Sequence, residues 1–482
     1  MGLNIALGYI AASLKKAGIE VKVLDMANHR NWIFEKMGRK AIEAFKPDLI
    51  GIPLFYINYY PVKEMISYVR EFSDCPIVVG GPQMMIEKEQ ILEDIPGLDY
   101  AIIGDGEAAI VELCEAIQKK RDLPEIDGLV YRKGGRIVRN KDREPSKDID
   151  TLPFPDYESF GIDKMRRYSI LTSRGCAFRC TYCFRSTKVW RPRSPENIIE
   201  ELKSAIEKYK IEEFVIVDDA FNVLPARVER LCDLLIQGGI KLPWSCSGIR
   251  ADKVTDPLVK RMREAGCYSI NVGVETLQPE IYAYLDRHMS MDEALKCFAI
   301  LKKYGMNNVG YFMIGLPGET KAKTWDTYKK AKKAGIDYPR FSMLLPIPGT
   351  RMFDMIYSQP GTRRLEDYRK ISTVWSFDPQ FSRMKTAFDT TEYPAHEKID
   401  MYNKLRTIEG DPRPPYHKNF IIFGLHGMIW ILKYDPLRAP FIIYKLFKSL
   451  LKRFVKSKGK HVFVTENIYR DSFIREMENL LV

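Results

Sequence analysis

The pattern that most restricts this chain is an alternation of short apolar, strand-like runs with amphipathic helical runs, and it occurs in two blocks. In the first, Val21–Leu24, Asp48–Ile52, Pro76–Gly81 and Tyr100–Gly104 read as strands, separated by segments such as Val62–Phe72. In the second, Tyr168–Thr172, Phe214–Val217, Trp244–Gly248, Ser269–Val274, Val309–Ile314 and Phe341–Leu345 read as strands. Parallel strands need a crossover long enough to hold a helix, so alternation of this kind predicts parallel sheets. The first block predicts a doubly wound sheet. The second predicts a barrel or partial barrel of six βα units. Both folds place ligands at the carboxyl ends of their strands. Helix starts are marked too: Ser194-Pro195-Glu196 supplies a cap, a first-turn Pro and an acid. The apolar face that follows is Ile198, Ile199, Leu202, Ala205 and Ile206.

The expected division is a Rossmann-like domain over 1–125, a linker over 126–165, the six-unit barrel over 166–365, and a mostly helical region over 366–482. The linker is rich in charge, Gly and Pro, with one hairpin expected from Leu129-Val130-Tyr131 through Gly134-Gly135 to Ile137-Val138. Nine cysteines in 482 residues are too few for a disulfide scaffold and odd in number, which favours a reduced, cytoplasmic setting. The first residues are apolar but lack a basic front, so no secretory signal is read there. Hydrophobic residues at 45% and charged residues at 29% exclude a collagenous or wholly disordered chain.

Cys176-Ala177-Phe178-Arg179-Cys180-Thr181-Tyr182-Cys183 places three thiols in the loop after the first barrel strand. Three thiolates in a compact loop suit three irons of a [4Fe–4S] cluster, with the fourth iron left open. A zinc site would want a fourth Cys or His nearby, and the next His along the chain is His288.

This Cys-x3-Cys-x2-Cys run, with aromatic Tyr182 before the last Cys, resembles the signature of radical S-adenosylmethionine (SAM) enzymes. Later strand ends are similar to that family's motifs in the same order. Val217-Asp218-Asp219-Ala220-Phe221 resembles the second-strand motif that receives the SAM amino group. Gly273-Val274-Glu275-Thr276 resembles the fourth-strand motif, whose acid approaches the ribose or amino-acid end. Ile314-Gly315-Leu316-Pro317-Gly318-Glu319 resembles the fifth-strand motif beside the adenine, and Leu345-Pro346-Ile347-Pro348 the sixth-strand end. Taken singly, the acids read equally well as helix caps or surface charges and the Gly-Pro pieces as turns. The resemblance implies Cys176, Cys180 and Cys183 as cluster ligands. It implies Tyr182, Asp218, Asp219, Glu275, Gly315, Leu316, Pro317 and Pro346 as SAM contacts. Arg250, after the third strand, is a candidate carboxylate contact or a structural ion pair. The implied chemistry is one-electron cleavage of SAM to a 5′-deoxyadenosyl radical, with flavodoxin or ferredoxin as a suitable reductant.

The block Leu3–Ile117 resembles the cobalamin-binding domain that precedes the barrel in one radical SAM class. Its matching phrases are Gly18–Asp25, Val78-Val79-Gly80-Gly81-Pro82 and Ile103-Gly104-Asp105-Gly106-Glu107. Gly80, Gly81, Gly104, Gly106 and Glu107 are the implied cobalamin contacts. No Asp-x-His-x-x-Gly occurs: Asp25 and His29 are four apart, so His29 reads as a loop histidine and cobalamin is expected to bind without a protein His on cobalt. The family has a further strand ahead of the Gly2–Gly8 phrase. The sequence starts just after where that strand would stand, so either the start is truncated or the sheet lacks the strand.

The stretch Arg369–Leu405 reads as helical and as a cover for the barrel mouth. Between 419 and 460 an apolar run is followed by a stripe carrying Lys445, Lys448, Lys452 and Arg453. That is the make-up of an in-plane interfacial helix, and equally of an amphipathic helix packed on the barrel. His426 reads as structural. From Lys433 to Lys460 there are nine Lys or Arg and one acid, so this segment holds most of the chain's net +12. The excess therefore suits an anionic membrane surface better than nucleic acid, and a small-molecule or lipid substrate follows. The functional expectation is a cobalamin-dependent methyltransferase acting on an unactivated carbon. A radical SAM cyclase, coupling enzyme or rearrangement enzyme is the alternative, and an iron–sulfur electron-transfer or nucleic-acid module the remote one. Replacing Cys180 with Ala should abolish the four-iron cluster after anaerobic reconstitution. An intact four-iron spectroscopic signal in that variant refutes the ligand assignment.

Overall fold

A computed structural model describes residues 4–24, 38–184, 187, 189–371 and 386–409. The expectations for His29 and for the basic segment 419–460 lie outside these residues. The first sheet has the order β1 (Ile50–Pro53), β2 (Ile77–Gly80), β3 (Tyr100–Ile102), β4 (Leu129–Lys133), β5 (Arg136–Arg139). β1, β2 and β3 are parallel, whereas β3–β4 and β4–β5 are antiparallel. The sheet is therefore mixed rather than wholly parallel: the hairpin expected in the linker adds two strands to its edge. Alternate residues of β2 face opposite layers. Ile77 and Val79 meet Val62, Ile66 and Val69, while Val78 meets Leu14, Ile110 and Leu113. Val21–Leu24 is not a strand. The Val23 N–H donates to Ser159 O rather than to a neighbouring strand, and among the described residues β1 pairs only with β2.

The second sheet is formed by β6 (Arg167–Ile170), β9 (Glu213–Ile216), β10 (Trp244–Ile249), β11 (Cys267–Glu275), β12 (Asn307–Ile314) and β13 (Tyr338–Met343), in that spatial order and all parallel. Between β6 and β9 lies a two-residue antiparallel pair, β7 (Ser173–Arg174) with β8 (Arg191–Pro192). Every strand from β9 onward pairs with the one before it, the arrangement expected of serial βα units. β6 and β13 remain edges, so the barrel is open. The helix Pro195–Tyr209 begins where the sequence marks it, with Ser194 Oγ accepting from Asn197 N at 3.1 Å. Its buried face (Ile198, Leu202, Ala205) packs with Val228, Leu231, Leu258, Met262 and Phe298 from the following helices. The inner layer includes Trp244 stacked on Phe214, ring centroids 5.7 Å apart. Each fully buried apolar side chain contributes about 1.5–3 kcal/mol, so this shared layer supplies much of the barrel's stability.

Beyond β13, Arg369–Leu405 is not one helix. A 3-10 turn spans Tyr368–Lys370, β14 (Arg363–Arg364) pairs with β15 (Phe388–Asp389), and the helix proper is Ala395–Ile408. That helix packs beside β13 through Met401, Tyr402 and Leu405. It also carries Lys398, buried at 1% exposure, whose ammonium lies 3.8 Å from the Phe388 ring and donates to Phe388 O. Opposite, Glu319 folds back over the end of β12. One oxygen accepts from Gly315 N and Leu316 N, the other from Thr324 Oγ1.

Burial pushes the Glu319 carboxyl from 4.5 up to about 7, against those hydrogen bonds and the Lys398 charge. A carboxyl that holds its proton more tightly when folded stabilises the fold at low pH and loses that contribution as pH rises. Relative to Glu319→Gln, the native protein should lose up to about 3 kcal/mol of stability between pH 4.5 and 7, measured by denaturant unfolding. Parallel pH curves for the two proteins contradict this assignment.

Candidate active site

The loops after β6, β9, β10, β11, β12 and β13 all leave the same end of the parallel sheet, and the sequence-identified residues lie on them. The cysteine loop leaves through β7 and returns through β8. A Cβ on Gly175 (φ +77°) would lie 2.3 Å from Val189 O, so only glycine allows the two arms to close there. Cys176 and Cys180 are half-buried and Cys183 is exposed. Among the described residues no three His, Cys, Asp or Glu side chains stand close enough to hold one metal ion. The loop is gripped at several points. Thr181 N donates to Leu285 O, Met352 N donates to Thr181 O, and Arg351 spans Arg179 O and Asp286. Trp190, on the returning arm, donates from Nε1 to Ala220 O at 2.9 Å.

Tyr182 and Glu275 come together as the motifs suggest, with Tyr182 OH 2.9 Å from Glu275 Oε1. A third residue, Arg287, completes the group: it ion-pairs with Glu275, bonds Tyr182 OH, and donates to Gly273 O at 2.8 Å. Gly273 gives this group room, since a Cβ there would stand 2.7 Å from Glu275 Oε1 and displace that carboxylate. Burial opposes the Arg287 charge, but Tyr182 and Glu275 outweigh it and hold the guanidinium firmly protonated. Burial beside the Glu275 carboxylate pushes the Tyr182 phenol well up, so it stays neutral. The Nε–H of Arg287 is buried without an acceptor. A donor left over beside a carboxylate and a phenol fits an anionic or polar cofactor group. Sequence reasoning missed Arg287; its signal is spacing, twelve residues past Glu275 with Asp286 and His288 both at positive φ on either side.

The other motif residues divide by what they touch. Asp218 is buried and turned inward, accepting from Thr172 N at 2.6 Å, Thr172 Oγ1 at 2.5 Å and Ser173 Oγ at 2.7 Å, which ties the end of β9 to that of β6. Asp219 is exposed and accepts from Gly175 N. Arg250 pairs with Asp252 at 2.8 Å, donates to the carbonyls of Arg287 and His288, and stacks 3.7 Å over Phe178 of the cysteine loop. Gly315, Leu316 and Pro317 form the turn clasped by Glu319, with Tyr284 OH donating to Pro317 O. Leu316, Leu344 and Leu345 make an apolar cluster with Phe388 against which Tyr182 packs, and Pro346 is buried beside them.

The first sheet reaches this mouth. Tyr56, in the turn after β1, packs against the same apolar cluster. After β3, Glu107 ion-pairs with Arg174 at 2.5 Å and Asp105 with Arg191. Burial raises the Asp105 carboxyl, but Arg191 and Arg174 outweigh it and hold it below the ordinary range. Gly80 and Gly81 lie at the end of β2. Above Gly104 there is room, since a Cβ would find nothing nearer than Arg143 O at 3.9 Å. Exposed backbone at strand ends that open toward the cysteine loop fits a bulky planar cofactor laid between the two domains.

Comparison with known proteins agrees with this layout. Residues 170–349 match the radical SAM superfamily and residues 2–114 the B12 binding domain. An uncharacterised methyltransferase of Pyrococcus horikoshii is 30% identical over 77% of this chain and 82% of its own length. An anaerobic magnesium-protoporphyrin IX monomethyl ester cyclase of Rubrivivax gelatinosus is 22% identical over 77% of this chain and 69% of its own. The fold is similar to that of the radical SAM methyltransferase TsrM from Kitasatospora setae, solved with cobalamin and a [4Fe–4S] cluster: TM-score 0.62, 20% identity, 74% of each chain. The expected cofactor set of [4Fe–4S] cluster, SAM and cobalamin is the set of this domain pair. The chain belongs to the radical SAM superfamily, in the group that joins a B12-binding domain to the radical SAM domain.

Proposed function

We propose that this enzyme methylates an unactivated carbon. The observation that supports the reading is the contact of the B12-type strand ends with the barrel mouth: Asp105 and Glu107 pair with the stems of the cysteine loop, and Tyr56 packs on the apolar cluster beside it. When bound, the cluster and SAM supply a hydrogen-abstracting radical and cobalamin carries a methyl group. Cys176, Cys180 and Cys183 would hold the cluster. Tyr182, Glu275 and Arg287 would orient the polar end of SAM, with Asp218, Asp219 and Arg250 shaping the floor. Gly315, Leu316, Pro317 and Pro346 would border its adenine. Gly80, Gly81, Gly104 and Gly106 would present backbone to the corrin, with Glu107 at its rim. The apolar cluster of Leu316, Leu345 and Phe388 excludes water from the mouth, which protects a reactive radical. A flavodoxin- or ferredoxin-type protein would supply the electron. Likeness to a methyltransferase over most of both chains favours methyl transfer. A second reading, cyclisation without methyl transfer, is favoured by the likeness to the protoporphyrin cyclase.

Anaerobic reconstitution with iron, sulfide and cobalamin, followed by SAM and a reductant, separates them. Methylation yields 5′-deoxyadenosine together with S-adenosylhomocysteine; 5′-deoxyadenosine alone selects the cyclase reading. Neither product, with cluster and reductant verified, sinks both.

The charge carried by 433–460 beside an apolar run points to a lipid or membrane-associated substrate. Among the described residues no helix is long and apolar enough to cross a membrane. The apolar run 420–432 is shorter than the roughly 20 residues a spanning helix needs, so the contact proposed is peripheral. Full-length protein should co-sediment with anionic vesicles, and replacing Lys445, Lys448, Lys452 and Arg453 by Gln should release it. Equal sedimentation of both proteins ends this part of the proposal.

A further inference from the structure

The cysteine loop passes through a narrow neck. Its outgoing stem ends at Arg174, its returning stem starts at Arg191, and the two residues are opposite each other in the β7–β8 pair. Like charges directly opposite on a strand pair repel. Here they are also withdrawn from water: the Arg191 side chain is 4% exposed and that of Arg174 is 15%. Two buried guanidinium groups side by side would force the stems apart unless acids lay between or against them.

The acids come from the other domain. Asp105 pairs with Arg191 and stands 3.7 Å from Arg174 Nη1, so one carboxylate bridges both stems. Glu107 takes Arg174 Nη2 at 2.5 Å. Arg191 also donates to Ser146 O at 2.9 Å, and the Arg174 guanidinium lies 4.8 Å over the Tyr9 ring. Both acids sit within three residues at the start of the helix Gly106–Ile117. A carboxylate at a helix start is also favoured by the helix dipole.

We infer that Asp105 and Glu107 are positioning residues for the iron–sulfur loop: the B12-type domain closes the neck from outside and thereby sets the spacing of the cysteines. The inference rests on the cofactor reading above, and it gives Glu107 a partner on the protein. Gly104-Asp105-Gly106 then faces two ways, with backbone toward the corrin position and carboxylate toward the neck. A shift of this turn is felt at both, so loading of one domain and loop geometry in the other are linked.

The test uses full-length protein reconstituted anaerobically with iron, sulfide and cobalamin. Native protein, Glu107→Gln, Arg174→Gln and the double variant are compared. Three quantities are read: the EPR spectrum of the reduced cluster, iron loss to a chelator, and cobalamin retained after desalting. Each single variant should alter the EPR spectrum and lose iron about tenfold faster, and Glu107→Gln and Arg174→Gln should retain cobalamin to the same extent as each other. The double variant should be no worse than Arg174→Gln alone, because that substitution already removes the Glu107 contact. Unchanged iron loss in the singles overturns the inference. So does fully additive loss in the double, or release of cobalamin with the cluster unaltered, which makes Glu107 a corrin contact instead. If Glu107→Gln does not fold, the exchanged pair Glu107→Arg with Arg174→Glu decides: recovered iron retention supports the clamp, and continued loss overturns it. Native protein that takes up no cobalamin defeats the cofactor reading but leaves the iron comparison valid.

Discussion

Parallel pairing of six successive strands is the constraint on which the molecule depends. Parallel strands deliver all their carboxyl ends to one side, so loops far apart in sequence converge without any long-range code for convergence. The cysteine loop, the aspartates after β9, Arg250 after β10, Glu275 at the end of β11 and the Gly315–Pro317 turn meet for that reason. The first sheet follows the same rule with three parallel strands, and its ends abut the barrel mouth through Tyr56, Asp105 and Glu107.

The buried charges of this barrel are costly to assemble. Arg287 with Glu275 and Arg193 with Glu201 are ion pairs whose partners are all under a tenth exposed. Removing both members of such a pair is often tolerated, whereas removing one leaves a charge in a poor solvent. Glu201 is further satisfied by the Tyr168 hydroxyl at 2.7 Å, and Arg193 by Asn197 and Leu171 O. Sites of this kind are held less by any single contact than by the lack of alternatives for each buried charge.

The readable parts of this fold are those with a local signature. Each barrel strand is a short apolar run bounded by turn residues, and each was placed within a few residues of its position. The cysteine loop and the Gly-Pro turns are likewise local. The hairpin over 129–139 was readable as a hairpin but not as an extension of the first sheet, because pairing partners are not written in a strand's own residues. Val21–Leu24 has the composition of a strand, but its Val23 N–H bonds Ser159 O rather than a sheet strand. Arg287 and Lys398 escaped notice because nothing in their neighbours sets them apart from ordinary surface cations. Only the folded chain puts one against Glu275 and the other against Phe388. Arg250 is the reverse case: its place after β10 marks it out, and the structure gives it Phe178 and two carbonyls as partners.

The turn around Arg287 holds Asp286 and His288 in the left-handed region, at φ +51° and +52°. Side chains with a Cβ pay roughly 1–2 kcal/mol for that conformation, which glycine does not. The chain thus carries strain on both sides of one arginine whose own geometry serves the site. For anyone seeking a sturdier enzyme, position 288 is where Gly or Asn relieves that strain, since the Asp286 carboxylate pairs with Arg351 beside the cysteine loop. The same loosening frees Arg287 to swing, so gains in heat tolerance there trade against order at the site.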